Sequence, residues 1–342
     1  MRSFWLFRTN LKALEYYHQY KDLETFEKNC HDFYLLQGLW FLRNDYFDEV
    51  IIWRLSKKDI PPTIFNVNGK KFSQIWVKSF EQTLEYPKPK ISFWRGGFPE
   101  YDRVTKAHPK FFGKKLYLGA GRRITPQWGG KYSALLMEDE KDFKKGYKCL
   151  PFYKTASPEI FKPPSFSYLD YDICWPCNFK QITQKGQEFF IRSIGKSKKL
   201  KQLRIVHCGN SPKAGKTLCK KYGVKNIEFM GSLERLKLNE VLNKSKFGIV
   251  TSNRNDGCPR ILTEILMSGT PLLVRNKTRF LEYYKGRGVI VFNDENITNK
   301  IIYAIEDRKQ HYFDIKAAIK NELSFSSICE KNINLWKKMG GS

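Results

Sequence analysis

Acidic residues are scarce in this chain. Its 342 residues hold 34 Asp and Glu against 61 Lys and Arg, a formal net charge of +27. Residues 1–170 carry 29 basic and 19 acidic residues, and residues 171–342 carry 32 and 15, so both halves share the excess. A field of this sign favours polyanionic partners: nucleic acid, an anionic lipid surface or phosphorylated substrates. It does not choose among them. The densest basic run, Lys196-Ser-Lys198-Lys199-Leu-Lys201, reads as a solvated helix end and turn. Long apolar runs are also missing. No stretch approaches the ~18–20 apolar residues of a membrane span. The N-terminal MRSFWLFRTNLK has no signal-peptide body. A cytoplasmic protein is expected, in at most peripheral contact with the inner membrane face. The eight cysteines lack obvious partners. Cys174-Trp-Pro-Cys177 has the spacing of a redox or zinc half-motif. Strand-like residues surround it, however, and no second pair stands at a usual distance. The cysteines are read as reduced thiols.

Apolar material is plentiful: 41% hydrophobic and 15% aromatic residues exclude a disordered chain. The length suits two domains of about 150–180 residues each. In the first half, strands are expected at 4–7, 49–55, 74–77, 90–94, 115–118 and 133–137, with a helix over 29–42. In the second, strands at 171–178, 203–207, 227–230, 247–251, 272–274 and 288–292 alternate with helices at 186–194, 213–222, 236–244, 279–285 and 297–306. The tail 313–339 is helical. Strands alternating with helices argue for α/β domains with parallel sheets, each binding its ligand at the carboxyl ends of the strands. Residues 150–164 are proline-rich and aperiodic, a connector. The expected domains are 1–165 and 166–320, with 321–342 a helix that crosses back to the first.

The most informative stretch is 246–276. A buried strand leads into a polar loop ending in Asp256-Gly257, then a helix with Ile261, Leu262, Ile265 and Leu266 on one apolar face, then a second strand. Pro259 is expected at the first helical position. A glycine before a helix start offers free backbone N–H groups and the positive end of the helix dipole, a ready phosphate site. The residues Asp256-Gly257-Cys258-Pro259-Arg260-Ile261-Leu262-Thr263-Glu264, followed by Ser268-Gly269-Thr270-Pro271, resemble the nucleotide-sugar signature of GT-B glycosyltransferases, closest to family 4 (group 1). Asp256 stands where that family has Glu, and Cys258 where it usually has an aromatic.

The resemblance implies two Rossmann-like, doubly wound domains facing each other, with the donor held by the second. It assigns Glu264 to ribose or sugar hydroxyls, which suits an acceptor-only carboxylate. Asp256 would hold sugar hydroxyls, and Gly257 with the Cys258–Ile261 backbone the phosphates. Arg254 and Arg260 flank that loop. Lys180 and Lys185, in NFKQITQKG, match the family's basic-x4-Lys-Gly pattern and would neutralise the departing diphosphate. The loop at Gly209 lies near the nucleotide. Its run to Gly215-Lys216-Thr217 has five intervening residues where a P-loop needs four, so a P-loop is rejected. No bound metal or other cofactor is implied.

A catalytic base on the first domain has no distinctive motif. Among Asp48, Glu100, Asp102 and His108, His108 is the one to test. The lack of a base or nucleophile motif tilts the reading towards retention. The expected function is transfer of a sugar from a nucleotide diphosphate sugar to a glycan or glycolipid, with an anionic membrane as peripheral contact. Two alternatives stand beside it. One is a viral-type transferase acting on a modified base in DNA. The other is a non-catalytic polyanion-binding protein on a degenerate transferase fold.

Overall fold

The structure is a computed structural model. It describes residues 2–8, 22–30, 32–119, 125–164, 168–179, 185–253 and 259–339. The chain forms two compact units, Met1–Tyr153 with Cys329–Ser342, and Lys154–Ile328.

The first unit is built on an eight-stranded sheet: β1 (Ser3–Arg8), β2 (Glu49–Leu55), β3 (Thr63–Val67), β4 (Lys70–Val77), β5 (Ile91–Arg95), β6 (Lys114–Leu118), β7 (Ala134–Met137) and β8 (Cys149–Pro151). The spatial order is β3-β4-β2-β1-β5-β6-β7-β8. Every neighbour pair is parallel except the β3–β4 hairpin. That hairpin turns on Asn68-Gly69 with φ of +52° and +80°, the dipeptide a two-residue turn favours. Neither β3 nor the first half of β4 was expected. Among the described residues the helices between these strands are α1 (Leu23–Asn29), α2 (Phe33–Arg43) and α3 (Pro99–Ala107). The single helix expected over 29–42 is interrupted because Asp32 caps α2, its carboxylate accepting from Tyr34 N at 3.1 Å. One face of the sheet carries an aromatic core of Trp5, Phe7, Trp53, Trp94, Tyr101 and Phe112. The rings of Phe7 and Trp94 stack with centroids 3.6 Å apart.

The second unit has six parallel strands: β9 (Tyr171–Pro176), β10 (Ile205–Cys208), β11 (Ile227–Gly231), β12 (Ser245–Val250), β13 (Leu272–Arg275) and β14 (Val289–Phe292). Their order, β11-β10-β9-β12-β13-β14, is that of a doubly wound sheet. Helices α4 (Gln187–Lys196), α5 (Pro212–Tyr222), α6 (Arg235–Asn243), α7 (Arg260–Met267) and α8 (Ile297–Glu306) lie between or after the strands. The core is mainly aliphatic: Ile173, Ile191, Ile194, Ile205, Ile249 and Leu273 among others. The helix expected over 279–285 is only a 3-10 turn at Glu282–Tyr284.

Two further departures concern the ends of this unit. Residues 154–164, expected in the first domain, pack with the second. Tyr284 OH donates to Lys154 O at 2.7 Å and accepts from Lys154 N at 2.9 Å, and Thr155 Oγ1 donates to Leu323 O at 3.0 Å. The expected continuous tail is two helices, α9 (Arg308–Asn321) and α10 (Phe325–Lys337). They part where Leu323 is buried and Ser324 Oγ accepts from Ser327 N at 3.1 Å, restarting the helix. The division between units falls within α10. From Cys329 on it belongs to the first unit, where fully buried Trp336 packs against Phe4, Phe41 and Phe93. Among the described residues no helix is long and apolar enough to cross a membrane.

Candidate functional site

In the second unit β9 has β10 on one side and β12 on the other, and the chain leaves towards opposite edges. Such a switch point opens a crevice at the carboxyl ends of the strands. A cleft of about 360 Å³ lies there, walled by the turns after β9, β10 and β12 and by the start of α7.

Two glycines allow the loops to close around it. A methyl group on Gly209 would collide with the Cys177 carbonyl oxygen, so the turns after β9 and β10 meet only because this residue has no side chain. Gly186 sits at φ +67°, and a methyl there would strike Thr251 O. Lys185-Gly186 is thereby pressed onto the end of β12. Thr251 Oγ1 donates to Lys185 O at 2.6 Å, and Trp175 Nε1 donates to Thr251 Oγ1 at 3.3 Å. The backbone that carries the Lys185 side chain is thus held by two neighbouring strands.

Helix α7 forms the far wall. Pro259 is extended (φ −66°, ψ 134°) and the helix starts at Arg260, one position later than expected. The first N–H groups of a helix have no partner within it, and here they belong to the Arg260–Ile261 turn that lines the cleft. One turn further on, Glu264 is buried yet still reaches the cleft. Its Oε2 accepts from Arg235 Nη1 at 2.8 Å. The Ser268-Gly269-Thr270 part of the signature closes the helix. Gly269 has φ +75°, Ser268 Oγ donates to Glu264 O at 2.8 Å, and Thr270 Oγ1 donates to Leu242 O at 2.9 Å. These three residues hold α7 and therefore Glu264.

Beneath the cleft, His207 is fully buried among Trp175, Phe179 and Phe229, with Cys177 Sγ 3.5 Å from its Nε2. Burial lowers its pKa to about 4, so the ring is neutral. The described cysteines are all free thiols. Among the described residues no three His, Cys, Asp or Glu side chains are grouped to hold a metal.

The structure brings Lys185, Gly209, Arg260, Ile261 and Glu264 to one cleft. Lys180, Arg254, Asp256, Gly257 and Cys258 lie outside the described residues. His108 ends α3, with Val104 O accepting from its N–H at 2.9 Å. The next residue, Pro109, is held through its carbonyl by Lys115 Nζ at the start of β6. His108 is therefore at the amino ends of the first unit's strands, the side opposite to where such sheets bind ligands. Asp48 precedes β2 at the same end and pairs with Arg2 at 3.0 Å. Asp102 is buried and accepts from Trp128 N at 2.8 Å and Tyr132 OH at 2.7 Å, a structural carboxylate.

Sequence reasoning missed Arg235. Its one signal is that it is the only arginine between Lys225 and Lys246, in a stretch otherwise served by lysine. Arginine is the cation suited to a fixed pair with a buried carboxylate.

Residues 180–321 match the family model "Glycosyl transferases group 1", and they include the cleft's lining from Lys185 on. No curated protein matches the chain in sequence. Solved structures match over nearly its full length. Sucrose-phosphate synthase from Thermosynechococcus elongatus has a TM-score of 0.63 at 11% identity, covering 99% of both chains. A trehalose-6-phosphate structure from E. coli bound with UDP-2-fluoro glucose has 0.64 at 9% identity, covering 99% of this chain and 100% of that one. The lipopolysaccharide outer core galactosyltransferase WaaB, in apo form, has 0.63 at 9% identity, covering 98% and 100%. At such identities the structures establish the fold, and the family model carries the class. Residues 180–321 form a group 1 glycosyl transferase domain, and the chain is an enzyme built on the GT-B fold.

Proposed function

We propose that the protein transfers a sugar from a nucleotide diphosphate sugar to a hydroxyl of a glycan or glycolipid, with retention at the anomeric carbon and without a bound metal. The observation that carries this reading is the convergence of Lys185, the first turn of α7 and buried Glu264 on one switch-point cleft. Lys185 and the α7 N–H groups suit a diphosphate, and Lys180 joins them by its place in the sequence pattern. Glu264 accepts hydrogen bonds from ribose or sugar hydroxyls. Asp256 and the Gly257–Cys258 turn complete the donor side by the same pattern. As the anomeric carbon–oxygen bond breaks, charge grows on the diphosphate. Cations already fixed there stabilise the transition state more than the ground state.

Relatives by fold support the finer points. A HepE protein from Anabaena, at 9% identity, was solved in complex with UDP. A trehalose-6-phosphate synthase of this fold was analysed for glycosyl transfer with retention. Membrane contact has support in residues 141–148. There Phe143 and Tyr147 are 42% and 49% exposed, beside exposed Lys141, Lys144, Lys145 and Lys148. Aromatic rings among lysines suit the headgroup level of an anionic bilayer.

The test is a thermal-shift screen of UDP, GDP, ADP, dTDP and CMP on wild type and Lys185→Ala, first metal-free and then with magnesium. One nucleotide is expected to raise the melting temperature without metal, and Lys185→Ala to weaken its affinity tenfold or more. A rise that needs magnesium overturns the metal-free part. Silence with every nucleotide, alongside a salt-sensitive rise with DNA or anionic vesicles, favours the binding-protein reading.

A further inference from the structure

One stretch of the second unit has no acidic residue at all. Residues 189–227 hold eleven Lys and Arg and no Asp or Glu, where the chain's average of 34 acids in 342 residues would place about four. All eleven basic residues are exposed. Among the described residues one of them is in an ion pair, Lys221 with Glu188 at 2.9 Å. The stretch runs through α4, β10 and α5. Strand β10 is buried, so the charge falls on the two helices and on the turns beside them. The helices pack side by side, and a methyl group on Gly195 would strike Tyr222 O where both of them end. The basic run at 196–201, which by itself reads as a solvated helix end, thereby joins a second series on α5. Lys213, Lys216 and Lys220 recur at i, i+3 and i+7, one face of a helix, and span about 10 Å along it. That series begins at the switch-point cleft, since Asn210 lines the cleft and Pro212 opens α5.

Like charges gathered on one face favour an anionic partner broad enough to meet them together. No large hydrophobic side chain within 189–227 is exposed. The face therefore offers no aromatic platform for stacked bases and meets its partner by charge alone. Nine of the eleven are lysine. Lysine is a hydrated point charge on a flexible stem, where arginine would fix a planar fork on one phosphate. Spread over two helices, such charges suit a wide field of mobile anions better than one bound group. Acidic lipid headgroups form that field, and each lysine near it adds to the attraction. We propose that the outer face of α4 and α5 rests on an anionic bilayer, with the cleft at the edge of the contact. This goes with a glycolipid acceptor and rests on the transferase reading for what the contact serves; the contact itself does not depend on it.

The experiment is sedimentation of the full chain with vesicles of phosphatidylcholine alone or with about one-third phosphatidylglycerol, over a series of salt concentrations. Three variants are compared with wild type: Lys213→Gln/Lys216→Gln/Lys220→Gln, Lys57→Gln/Lys88→Gln/Lys106→Gln and Phe143→Ala/Tyr147→Ala. The second removes the same charge from exposed positions of the first unit. Wild type should bind the phosphatidylglycerol vesicles and not the neutral ones, and added salt should weaken the binding. The α5 variant should bind about tenfold or more weakly, because each lysine at the surface contributes, and the first-unit lysine variant about twofold or less. No vesicle binding by wild type overturns the proposal. Equal losses in the two lysine variants do so as well, since net charge and not this face would then be responsible. A DNA duplex that binds more tightly than the vesicles at equal phosphate, through the α5 lysines, assigns the face to nucleic acid instead. Loss confined to Phe143→Ala/Tyr147→Ala overturns the α4–α5 face and leaves the membrane contact of residues 141–148 standing. The nucleotide screen keeps the two readings apart: if no nucleotide binds while the α5-dependent vesicle binding persists, the transferase reading falls and this one remains.

Discussion

The two sheets share a plan and differ in material. Both place a switch point at the first strand of their unit, yet one is packed with tryptophan and phenylalanine and the other with isoleucine and leucine. The difference extends to the crevices. The second unit brings backbone close to its cleft, with glycines at 186 and 209 and the start of α7, and adds one lysine and one buried glutamate. The first lines up arginine side chains. A sheet end that receives a ligand through backbone needs small residues at specific turns. One lined by long side chains needs only the right residue at the last position of each strand.

Mutations that separate the two cores test this contrast. The largest effect is expected from Trp94→Ala. Trp94 stacks on Phe7 and meets Tyr101 and Phe112 edge-on at 5.1 Å. Its loss should cost about 3–5 kcal/mol. Hydrogen exchange should show β1 and β5 loosened while β9 and β12 keep their protection. Equal loosening of all four strands would mean the units unfold as one.

Next comes an acid sensitivity confined to the second unit. His207 titrates near 6.5 when unfolded and about 4 when folded. Between those values the unfolded chain binds the extra proton. The stability from neutral burial is complete above pH 6.5 and falls as pH drops towards 4, by up to about 3 kcal/mol. His207→Phe should flatten that part of the stability–pH curve. An unchanged slope would assign the acid loss to other groups.

Gly209→Ala should cost about 1–3 kcal/mol by overpacking and weaken nucleotide binding at least tenfold in the same titration as Lys185→Ala. The smallest effect belongs to Ile194→Val in the aliphatic core, about 0.5–1.5 kcal/mol by urea unfolding, with nucleotide affinity unchanged.

The same contrast explains what could be read from the residues alone. The cleft residues come as local strings, such as Lys185-Gly186 and Pro259 to Glu264, because turns and helix starts are contiguous in sequence. Strand β2 was legible to its ends, since EVIIWRL is a buried run between polar flanks. The arginine row was not, because Arg8, Arg54 and Arg95 are far apart in sequence and only strand register makes them neighbours. Arg235 was hidden for a related reason: its partner Glu264 lies on another helix. The β3–β4 hairpin was overlooked although Asn68-Gly69 announces it. Its first strand alternates half-buried and exposed residues, a weak apolar signal at a sheet edge.

Helix α10 bears on how the chain is made. The second unit is one continuous stretch, whereas the first closes only when Trp336 reaches Phe4, 332 positions earlier. On a ribosome the N-terminal sheet emerges first but must wait with one aromatic face uncovered. The later unit has all of its residues sooner relative to its own start. Contacts so distant in sequence form slowly, and exposed apolar faces aggregate in the interval. The first unit is thus the more vulnerable during synthesis, and α10 acts as the latch that ends the exposure.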